Sequence, residues 1–387
     1  MASPLIVLSD LHLSADGSGE TLRALAELVA AHPDHEIVLN GDVFGLSSDP
    51  PETDPVSTIR SVLGRDASAR AALRAHLAGG SRLTLIAGNH DAALGNEATR
   101  PALLSLLELG DDAPLAVERW FVRRGKVHVE HGHLWDPDNA PVHPLAHVSF
   151  ATEPLGIQLT RRFVARHNVW AFAHAHETTL AAGLRRAFDV FGARAPLLVA
   201  RYFAASSRIC AETLFDRGLA RERAEGEALL AAQARNSALD PELLRLLIER
   251  APTPTHARFR STFFRLYYDR VLSVLGLGGG VLLATLRRSS ASAALALACG
   301  AYLYSNVKRS GSRYSNMPIR RLRDGARVVQ EVTGAELVVF GHTHVPELSA
   351  RYANAGSFGY PERGSGLPYL VIDPDSAGVE LRRHLVG

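Results

Sequence analysis

Side chains of the types that bind metal ions follow five short apolar runs of the sequence. The runs, each given with the polar residues that come after it, are LIVLS with Asp10 and His12, IVLN with Asp42, LTLIA with Asn89, His90 and Asp91, KVHVE with His131 and His133, and LVVF with His342 and His344. Residues two apart in an extended chain point to the same side, so each Asp-x-His or His-x-His pair can face one ion. A mixture of carboxylate, amide and imidazole donors suits Mn, Fe or Zn better than Ca. The pattern therefore predicts a metal site built from several strand ends.

The elements that must position these side chains alternate over the first 135 or so residues. The expected strands are residues 5–9, 36–40, 82–87, 119–125 and 126–130, and the expected helices are 20–32, 66–79 and 100–109. Alternating strands and helices predict an α/β fold, and the run on either side of Gly125 predicts an antiparallel pair. In such sheets ligands bind beyond the carboxyl ends of the strands, which is where the polar residues fall.

The alternation stops near Asp138 and resumes at about residue 336, with strand patterns that continue to the C-terminus. The sequence predicts a core in two parts, residues 1–139 and 333–387, separated by a long helical insertion or cap at 140–332. Residues 140–330 contain 27 basic and 13 acidic residues, whereas the rest contains 15 and 27. This separation of charge fits a core that attracts cations and an insertion that attracts anions. It fits equally two solvated surfaces that differ in charge without a functional reason.

The series DLH, GD, GNHD, HGH and GHTH resembles the calcineurin-like metallophosphoesterase superfamily, and NAGS at 354–357 is similar to the segment after its last metal motif. The resemblance implies a β-sandwich flanked by helices and a metal-dependent phosphoric ester hydrolase with two divalent ions. We expect Mn, with Fe or Zn as alternatives. The implied roles are Asp10, His12 and His344 on one ion, Asn89, His131 and His342 on the second, Asp42 bridging both, His90 as general acid and Asp91 orienting His90.

Further residues are candidates for substrate contact. His133, Trp135, Asp136 and Asn139 closely follow the fourth motif, although a turn with helix-capping residues explains them equally. Arg320 and Arg321 belong to a basic stretch that could bind phosphate, with a solvated helix face as the alternative. His174 and His176 form another His-x-His pair, but a helical context turns their side chains apart. We expect that pair to be structural or exposed to solvent.

The insertion lies between His131 and His342, a position similar to the helical cap of the UDP-2,3-diacylglucosamine pyrophosphatases, which act on a lipid-linked diphosphate. The chain departs from their pattern at His90, where they have Arg, and at LWDPDN, where they have Cys-Thr-Asp-Asp. Within the insertion, residues 271–286 and 289–307 carry no charge. A bilayer span needs ~20 strongly apolar residues. These runs fit a buried hairpin, a span, or contact of residues 265–310 with a membrane surface of anionic head groups.

Three functions remain to be compared. The first is a phosphoesterase acting on a phosphomonoester or diphosphate of a small, amphipathic or lipid-linked molecule. The second is a nucleotide or nucleic-acid phosphodiesterase, but no nucleic-acid module is recognisable, which argues against nucleic acid as a partner. The third is a non-catalytic scaffold, which predicts eroded ligand positions, whereas here each one is filled.

The cellular location is predicted from cysteine usage and from the N-terminus. The chain contains two cysteines, Cys210 and Cys299, too few for a disulfide framework. The segment MASPLIVLSD has neither the basic region nor the long apolar region of a signal peptide. We expect a cytoplasmic protein, peripheral to the inner face of the membrane if the lipid interpretation holds.

Overall fold

Two β-sheets contain the strand ends on which the predicted site depends. The computed structural model describes residues 3–14, 17–50, 52–170, 180–215, 217–287, 289–309 and 317–385. Its strands are β1 Leu5–Leu8, β2 Glu36–Asn40, β3 Leu83–Ile86, β4 Leu115–Glu118, β5 Phe121–Arg124, β6 Val127–Glu130, β7 Leu337–Phe340, β8 Glu347–Leu348, β9 Tyr352–Asn354, β10 Leu367–Asp373 and β11 Gly378–His384. His174 and His176 lie outside the described residues.

The first sheet has the order β11-β10-β1-β2-β3-β4. Its β1 to β4 run parallel, and β10 and β11 are antiparallel. The second sheet has the order β5-β6-β7-β9-β8, in which β6, β7 and β9 are parallel. The antiparallel pair predicted around Gly125 is confirmed as β5 and β6.

The helices follow the strands of the first sheet and then fill the middle of the chain. They are α1 Gly19–Ala31, α2 Pro55–Gly64, α3 Ala67–Ala78, α4 Thr99–Leu106, α5 Leu155–Leu159, α6 Leu180–Phe191, α7 Ala195–Glu212, α8 Leu219–Ser237, α9 Pro241–Arg250, α10 Phe259–Arg265, α11 Tyr268–Arg287, α12 Ser290–Arg309 and α13 Met317–Thr333. The expected α/β sandwich with flanking helices and a long helical region is confirmed.

Apolar side chains fill three layers of the core. Between the sheets pack Val7, Val38, Val129 and Val339, among others, with no exposed surface. The outer face of the first sheet is covered by α1 to α4. The outer face of the second sheet is covered by α8, α9 and α13. Burial on both faces explains why the strands are continuously apolar rather than alternating.

The chain divides into two compact units. The first comprises residues 1–157, 218–254 and 318–387, and the second comprises 158–217 and 255–317. These bounds differ from the division at 139/140 and 332/333 that we predicted from the sequence. The reason is that α8, α9 and α13 bury their apolar faces against the second sheet, so they belong to the first unit.

Two elements of the first unit were not predicted. The strand β4 is four residues long and only its first residue is buried, so its hydrophobic pattern is weak. The helix α2 lies between the expected elements 36–40 and 66–79, although its start carries a recognisable signal. Asp54 accepts hydrogen bonds from the backbone N–H groups of Val56 and Ser57, and Pro55 occupies the first helical position. Such an Asp-Pro start is typical of helices.

Candidate metal centre

The strand ends of the two sheets meet at one edge of the sandwich. The side-chain Nδ2 of Asn40, at the end of β2, donates to the carbonyl oxygen of Glu130 at 3.0 Å. The Nδ1 of His131, just after β6, lies 3.0 Å from the carbonyl oxygen of Asn40. The backbone N–H of Gly341, after β7, donates to the carbonyl oxygen of His131. These bonds join the end of β2 in the first sheet to the ends of β6 and β7 in the second.

A first cluster comprises Asp10, His12 and His344. The Nε2 atoms of His12 and His344 lie 3.1 Å apart, and His344 Nε2 lies 3.2 Å from Asp10 Oδ1. Ligands that bind one ion at ~2.1 Å are separated by about 3 Å. Asp10 Oδ1 is a buried oxygen without a hydrogen-bond partner in the described part of the chain. The three donor atoms therefore have the spacing of a shared cation.

A second cluster comprises Asp42, His131 and His342, with Asn89 beside it. The Nε2 of His131 lies 3.2 Å from Asp42 Oδ2 and 3.2 Å from Asn89 Oδ1. The rings of His131 and His342 are 5.3 Å apart between centroids. All four residues that the sequence assigned to this side of the site are thus in one place.

Asp42 lies between the two clusters. Its Oδ2 is 3.2 Å from His131 Nε2 in the second cluster and 3.9 Å from His12 Nε2 in the first. Its Oδ1 accepts a hydrogen bond of 2.7 Å from the backbone N–H of His90. One carboxylate therefore reaches both histidine sets, as a bridging ligand must.

The backbone is strained at most of the candidate ligands. Positive φ angles occur at Asp10 (54°), His12 (47°), Asp42 (49°), His342 (66°) and His344 (59°). Non-glycine residues in this region cost free energy, of order 1–3 kcal/mol each, and they persist where the surroundings impose them. The strain is therefore concentrated at the residues that share the site.

Two glycines allow the loops to approach this closely. Gly41 has a φ of 77°, and a Cβ atom placed there would lie 2.3 Å from the His131 ring. A Cβ at Gly88 would lie 2.2 Å from Asp42 Oδ1. Any side chain at either position would displace a candidate ligand, which explains glycine at these strand ends.

The electrostatics of the centre favour a bound cation. Burial alone would raise the pKa of Asp10, but His131 and His344 lower it to about 2. Burial would lower the pKa of His131, but Asp42 and Asp10 raise it to about 10. Burial lowers the pKa of His12 to about 3. Burial would also raise the pKa of Asp42, but His131 and His90 hold it well below its usual range. Two buried carboxylates are thus ionised, and a buried anion requires a compensating positive charge. A divalent cation supplies that charge and competes with the proton on His131.

His90 lies beside the first cluster and is partly exposed. Its ring centroid is 5.1 Å from that of His12, and its Nδ1 lies 2.5 Å from Ser47 Oγ. Burial is the main cause of a lowered pKa at His90. Ser47 was not singled out in the sequence, because nothing local links it to a histidine 43 residues later.

We predicted that Asp91 orients His90, but the carboxylate of Asp91 accepts hydrogen bonds from backbone N–H groups instead. Its Oδ1 accepts from the backbone N–H groups of Gly88 and Asp42, and its Oδ2 accepts from those of Val43 and Phe44. Burial and the neighbouring Asp42 raise the pKa of Asp91, whereas its hydrogen bonds with the backbone lower it. Asp91 thus fixes the loop that carries Asp42, and the side chain in contact with the His90 ring is Ser47.

Asp136 and Asn139 support two candidate ligands from behind. Asp136 Oδ2 lies 3.0 Å from His342 Nε2 and accepts a hydrogen bond of 2.7 Å from Asn139 Nδ2. Asn139 Oδ1 in turn accepts from Asn89 Nδ2 at 3.4 Å. A carboxylate only accepts, so His342 donates through Nε2 and its Nδ1 remains for a cation. Asp136, which we predicted to contact substrate, is buried and instead holds a histidine.

We expect Asp136→Ala to weaken metal binding by about 10- to 100-fold, the effect of losing a carboxylate that orients a metal-bound histidine. Asp136→Asn retains a hydrogen-bond acceptor, so its effect should be smaller. The measurement is bound metal per chain against the concentration of free metal. The curve should shift to higher concentration, and occupancy at saturating metal should return close to that of the wild type. An unchanged metal dependence would show that Asp136 does not act on His342.

A cleft adjoins the second cluster. Its empty volume is about 430 Å³, and its wall includes Asn89, His133 and Asn139 as well as Arg119 and His147. His133 thus lies between the cleft and the centre, with its ring 5.4 Å from that of His131. This position is consistent with the predicted substrate contact of His133.

The other predicted substrate residues lie elsewhere. Trp135 is 3% exposed, and its Nε1 donates to Glu130 Oε1 at 2.7 Å. It packs in the core over the second sheet, so it cannot serve as a substrate surface. Arg320 and Arg321 lie in the first turns of α13, one exposed and the other partly exposed. Their binding to phosphate stays a prediction.

Tyr360 is a neighbour of the centre that sequence inspection missed. Its ring is stacked on that of His344, with centroids 6.3 Å apart and planes at 13°, and lies 5.5 Å from that of His12. The NAGS segment explains how it is held there. Ser357 Oγ donates to the carbonyl oxygen of Asp10 and accepts from the backbone N–H of Tyr360.

The donor set fits divalent cations of the transition series. Four imidazoles, two carboxylates and one amide converge in the two groups, with both carboxylates ionised and, within the described residues, one buried oxygen without a hydrogen-bond partner. Such nitrogen-rich, mixed sites select metals of the Mn, Fe and Zn type over Ca.

Comparison with known families gives one match. A family model described as calcineurin-like phosphoesterase matches residues 3–193. No curated protein matches the chain. The matched range contains the first four motifs, up to His131 and His133, and ends before His342 and His344. Those two histidines nonetheless lie in the same two clusters as the matched residues.

Proposed function

Since residues 3–193 belong to the calcineurin-like phosphoesterases and the chain is a metal-dependent phosphoric ester hydrolase, we propose that it uses two divalent cations, preferably manganese, to hydrolyse a phosphomonoester or diphosphate of an amphipathic, lipid-linked molecule. The observation that carries the two-cation part is the position of Asp42, whose Oδ2 is within 3.9 Å of histidine nitrogens from both clusters. A single-ion site would not require a carboxylate shared in this way.

The contacts support the proposed roles. One cation would be held by Asp10, His12 and His344, the other by Asn89, His131 and His342, and Asp42 would contribute to both. When bound, two divalent cations lower the pKa of a water and offset charge on the phosphoryl oxygens.

His90 is proposed to protonate the leaving group. Its Nδ1 is engaged by Ser47, which leaves Nε2 as the nitrogen that can deliver a proton. Partial exposure lets the ring reach a substrate, and the lowered pKa of His90 makes its protonated ring a stronger acid toward a leaving group. Asp91 takes part indirectly, by fixing the loop of Asp42.

Two observations support an amphipathic substrate. The cleft beside Asn89 and His133 adjoins the candidate ligands, and its wall includes Arg119, whose guanidinium donates to the carbonyl oxygens of Gly95 and Leu145. The basic excess of residues 140–330 favours an anionic ligand or surface. A substrate similar to that of the UDP-2,3-diacylglucosamine pyrophosphatases remains a prediction.

The proposed location is the cytoplasm, at the inner face of the membrane. Both Cys210 and Cys299 are free thiols, which is consistent with a reducing compartment. A lipid-linked substrate would bring the enzyme to the membrane surface.

A substrate panel with Mn tests the proposal. We expect hydrolysis of nitrophenyl phosphate to exceed that of its bis-ester, and lipid phosphates or lipid-linked diphosphates to exceed nucleotides at equal concentration. Metal analysis of the purified protein should find two ions per chain. Preference for the bis-ester and for nucleotides would favour a phosphodiesterase instead. A protein without activity on any phosphoric ester, whatever divalent ion is supplied, would contradict the proposal.

A further inference from the structure

The helices α11 and α12 form an antiparallel hairpin in the second unit. A Cβ atom at Gly280 would lie 3.1 Å from the Cβ of Ala296, and one at Gly276 would lie 2.7 Å from Cys299 Sγ. At the open end of the hairpin, Tyr302 donates to Asp269 Oδ2 at 2.6 Å. Glycines and small residues thus line the contact between the helices, and the larger side chains point elsewhere.

Those larger side chains are exposed. The exposed fractions are 64% at Leu275, 72% at Leu286, 74% at Leu297 and 67% at Tyr304. Leu272, Val274, Val281, Leu282, Leu283 and Leu295 are also exposed. An apolar patch of this kind on a soluble protein marks a surface that another component covers.

The length and composition of α11 match a membrane. Among the described residues, only Tyr268–Arg287 is long and apolar enough to cross one, and 17% of its apolar window is buried in the structure. A core helix of a soluble protein can have the same composition, but it would be mostly buried. A helix of 20 residues is about 30 Å long, close to the thickness of the hydrocarbon core of a bilayer.

The charge around the hairpin identifies the kind of membrane. Residues 255–309 contain eight basic residues and one acidic residue, and 271–286 contain none of either sign. Lys308 and Tyr304 lie at the open end, 5.7 Å apart between Nζ and the ring centroid. Basic and aromatic residues at the end of an apolar segment are typical of the head-group region of anionic bilayers.

We propose that the α11–α12 hairpin inserts into a bilayer of anionic phospholipids and anchors the enzyme there. This inference rests on the proposed function, because a lipid-linked substrate would be found at such a membrane surface. The alternative is that a second copy of the chain covers the hairpin. That alternative is disfavoured because two copies of the same basic surface repel each other.

The test is co-sedimentation with vesicles of phosphatidylcholine and phosphatidylglycerol in equal amounts, compared with vesicles of phosphatidylcholine alone. The full-length wild type should bind the anionic vesicles more tightly, and added salt should weaken binding. The triple variant Leu275→Asn, Leu286→Asn, Leu297→Asn should lose at least about 100-fold in partition coefficient, because each substitution withdraws an apolar side chain from the hydrocarbon. Leu197→Asn, at a position 54% exposed on α7, is the matched control and should bind like the wild type.

Insertion is distinguished from adsorption by fluorescence. Lipids brominated in the acyl chain should quench the tryptophan of Leu282→Trp more strongly than that of Leu197→Trp. Equal quenching would overturn insertion. So would a wild type that does not bind vesicles, or a dimer that the triple variant converts to a monomer without any binding to vesicles.

Hydrolysis of nitrophenyl phosphate separates the two proposals. The triple variant should retain the wild-type rate on this soluble substrate, because the hairpin holds none of the metal-site residues. Vesicle binding by a chain without phosphatase activity would contradict the proposed function alone. Full activity without vesicle binding would contradict the hairpin proposal alone.

Discussion

Asp42→Ala is expected to lose both divalent cations and to lower phosphoesterase activity by more than about 10³-fold. The loss of a single electrostatic stabiliser costs about 10²–10³ in rate. Asp42 serves both clusters, with its Oδ2 3.2 Å from His131 Nε2 and 3.9 Å from His12 Nε2. Its removal leaves each group of histidines with fewer charges to offset a divalent ion, so the effect should exceed that of removing any ligand of one cluster only.

The measurement is metal content per chain by mass spectrometry, beside the rate on nitrophenyl phosphate at several concentrations of Mn. Asp42→Asn preserves the size of the side chain and an acceptor for the backbone N–H of His90, so it separates charge from packing. Glu36→Gln is the matched control. Glu36 is also buried on β2, but it pairs with Arg124 and Thr84 away from the centre, and its variant should retain both ions. An Asp42→Ala protein with two ions per chain would refute the bridging role.

The metal-ligand candidates could be predicted from the sequence because two local signals coincide. Each buried strand is a continuous apolar run, and its polar residues follow within four positions of its end. The parallel order of the strands brings these ends together without any knowledge of the loops. That Asp10, His12 and His344 share one ion was implied by the resemblance to the calcineurin-like metallophosphoesterases, and the three lie in one cluster although His344 is more than 300 residues away from the others.

The supporting contacts could not be predicted in the same way. Ser47, Asp136 and Tyr360 have no pattern that distinguishes them from ordinary polar or aromatic residues in loops. Their positions against His90, His342 and His344 depend on how long loops return to the centre. Asp136 is an example. Its position close to a metal motif in the sequence predicted substrate contact, whereas in the structure its carboxylate is directed at a histidine.

The helical segment raised a different difficulty. The sequence predicts a long helical segment, but it does not say which surface α8, α9 and α13 cover, and they cover the second sheet. For α11 and α12 the composition fits a buried hairpin, a span or a surface segment equally. Only the exposure of their leucines separates these alternatives, and exposure is a property of the folded chain.

His90→Ala is expected to retain both cations and to lower kcat by about 10²–10⁴-fold, the usual contribution of a general acid. The cations should stay because the contact between His90 and Asp42 runs through the backbone N–H of His90, which alanine retains. The effect should depend on the leaving group. Nitrophenolate leaves without a proton, whereas an alkoxide needs one, so the loss should be larger on an alkyl phosphate than on nitrophenyl phosphate.

Ser47→Ala provides the companion variant. It removes the oxygen that lies 2.5 Å from His90 Nδ1 and leaves the ring in place, so it should reduce the rate on alkyl phosphates by a smaller factor than His90→Ala does. Metal content, measured for both variants, should equal that of the wild type. If His90→Ala instead lost one cation, or slowed both classes of ester by the same factor, His90 would be a positioning residue of the metal centre. The proton for the leaving group would then have to come from another donor at the edge of the cleft, and His133, which lines it, would be the first to test.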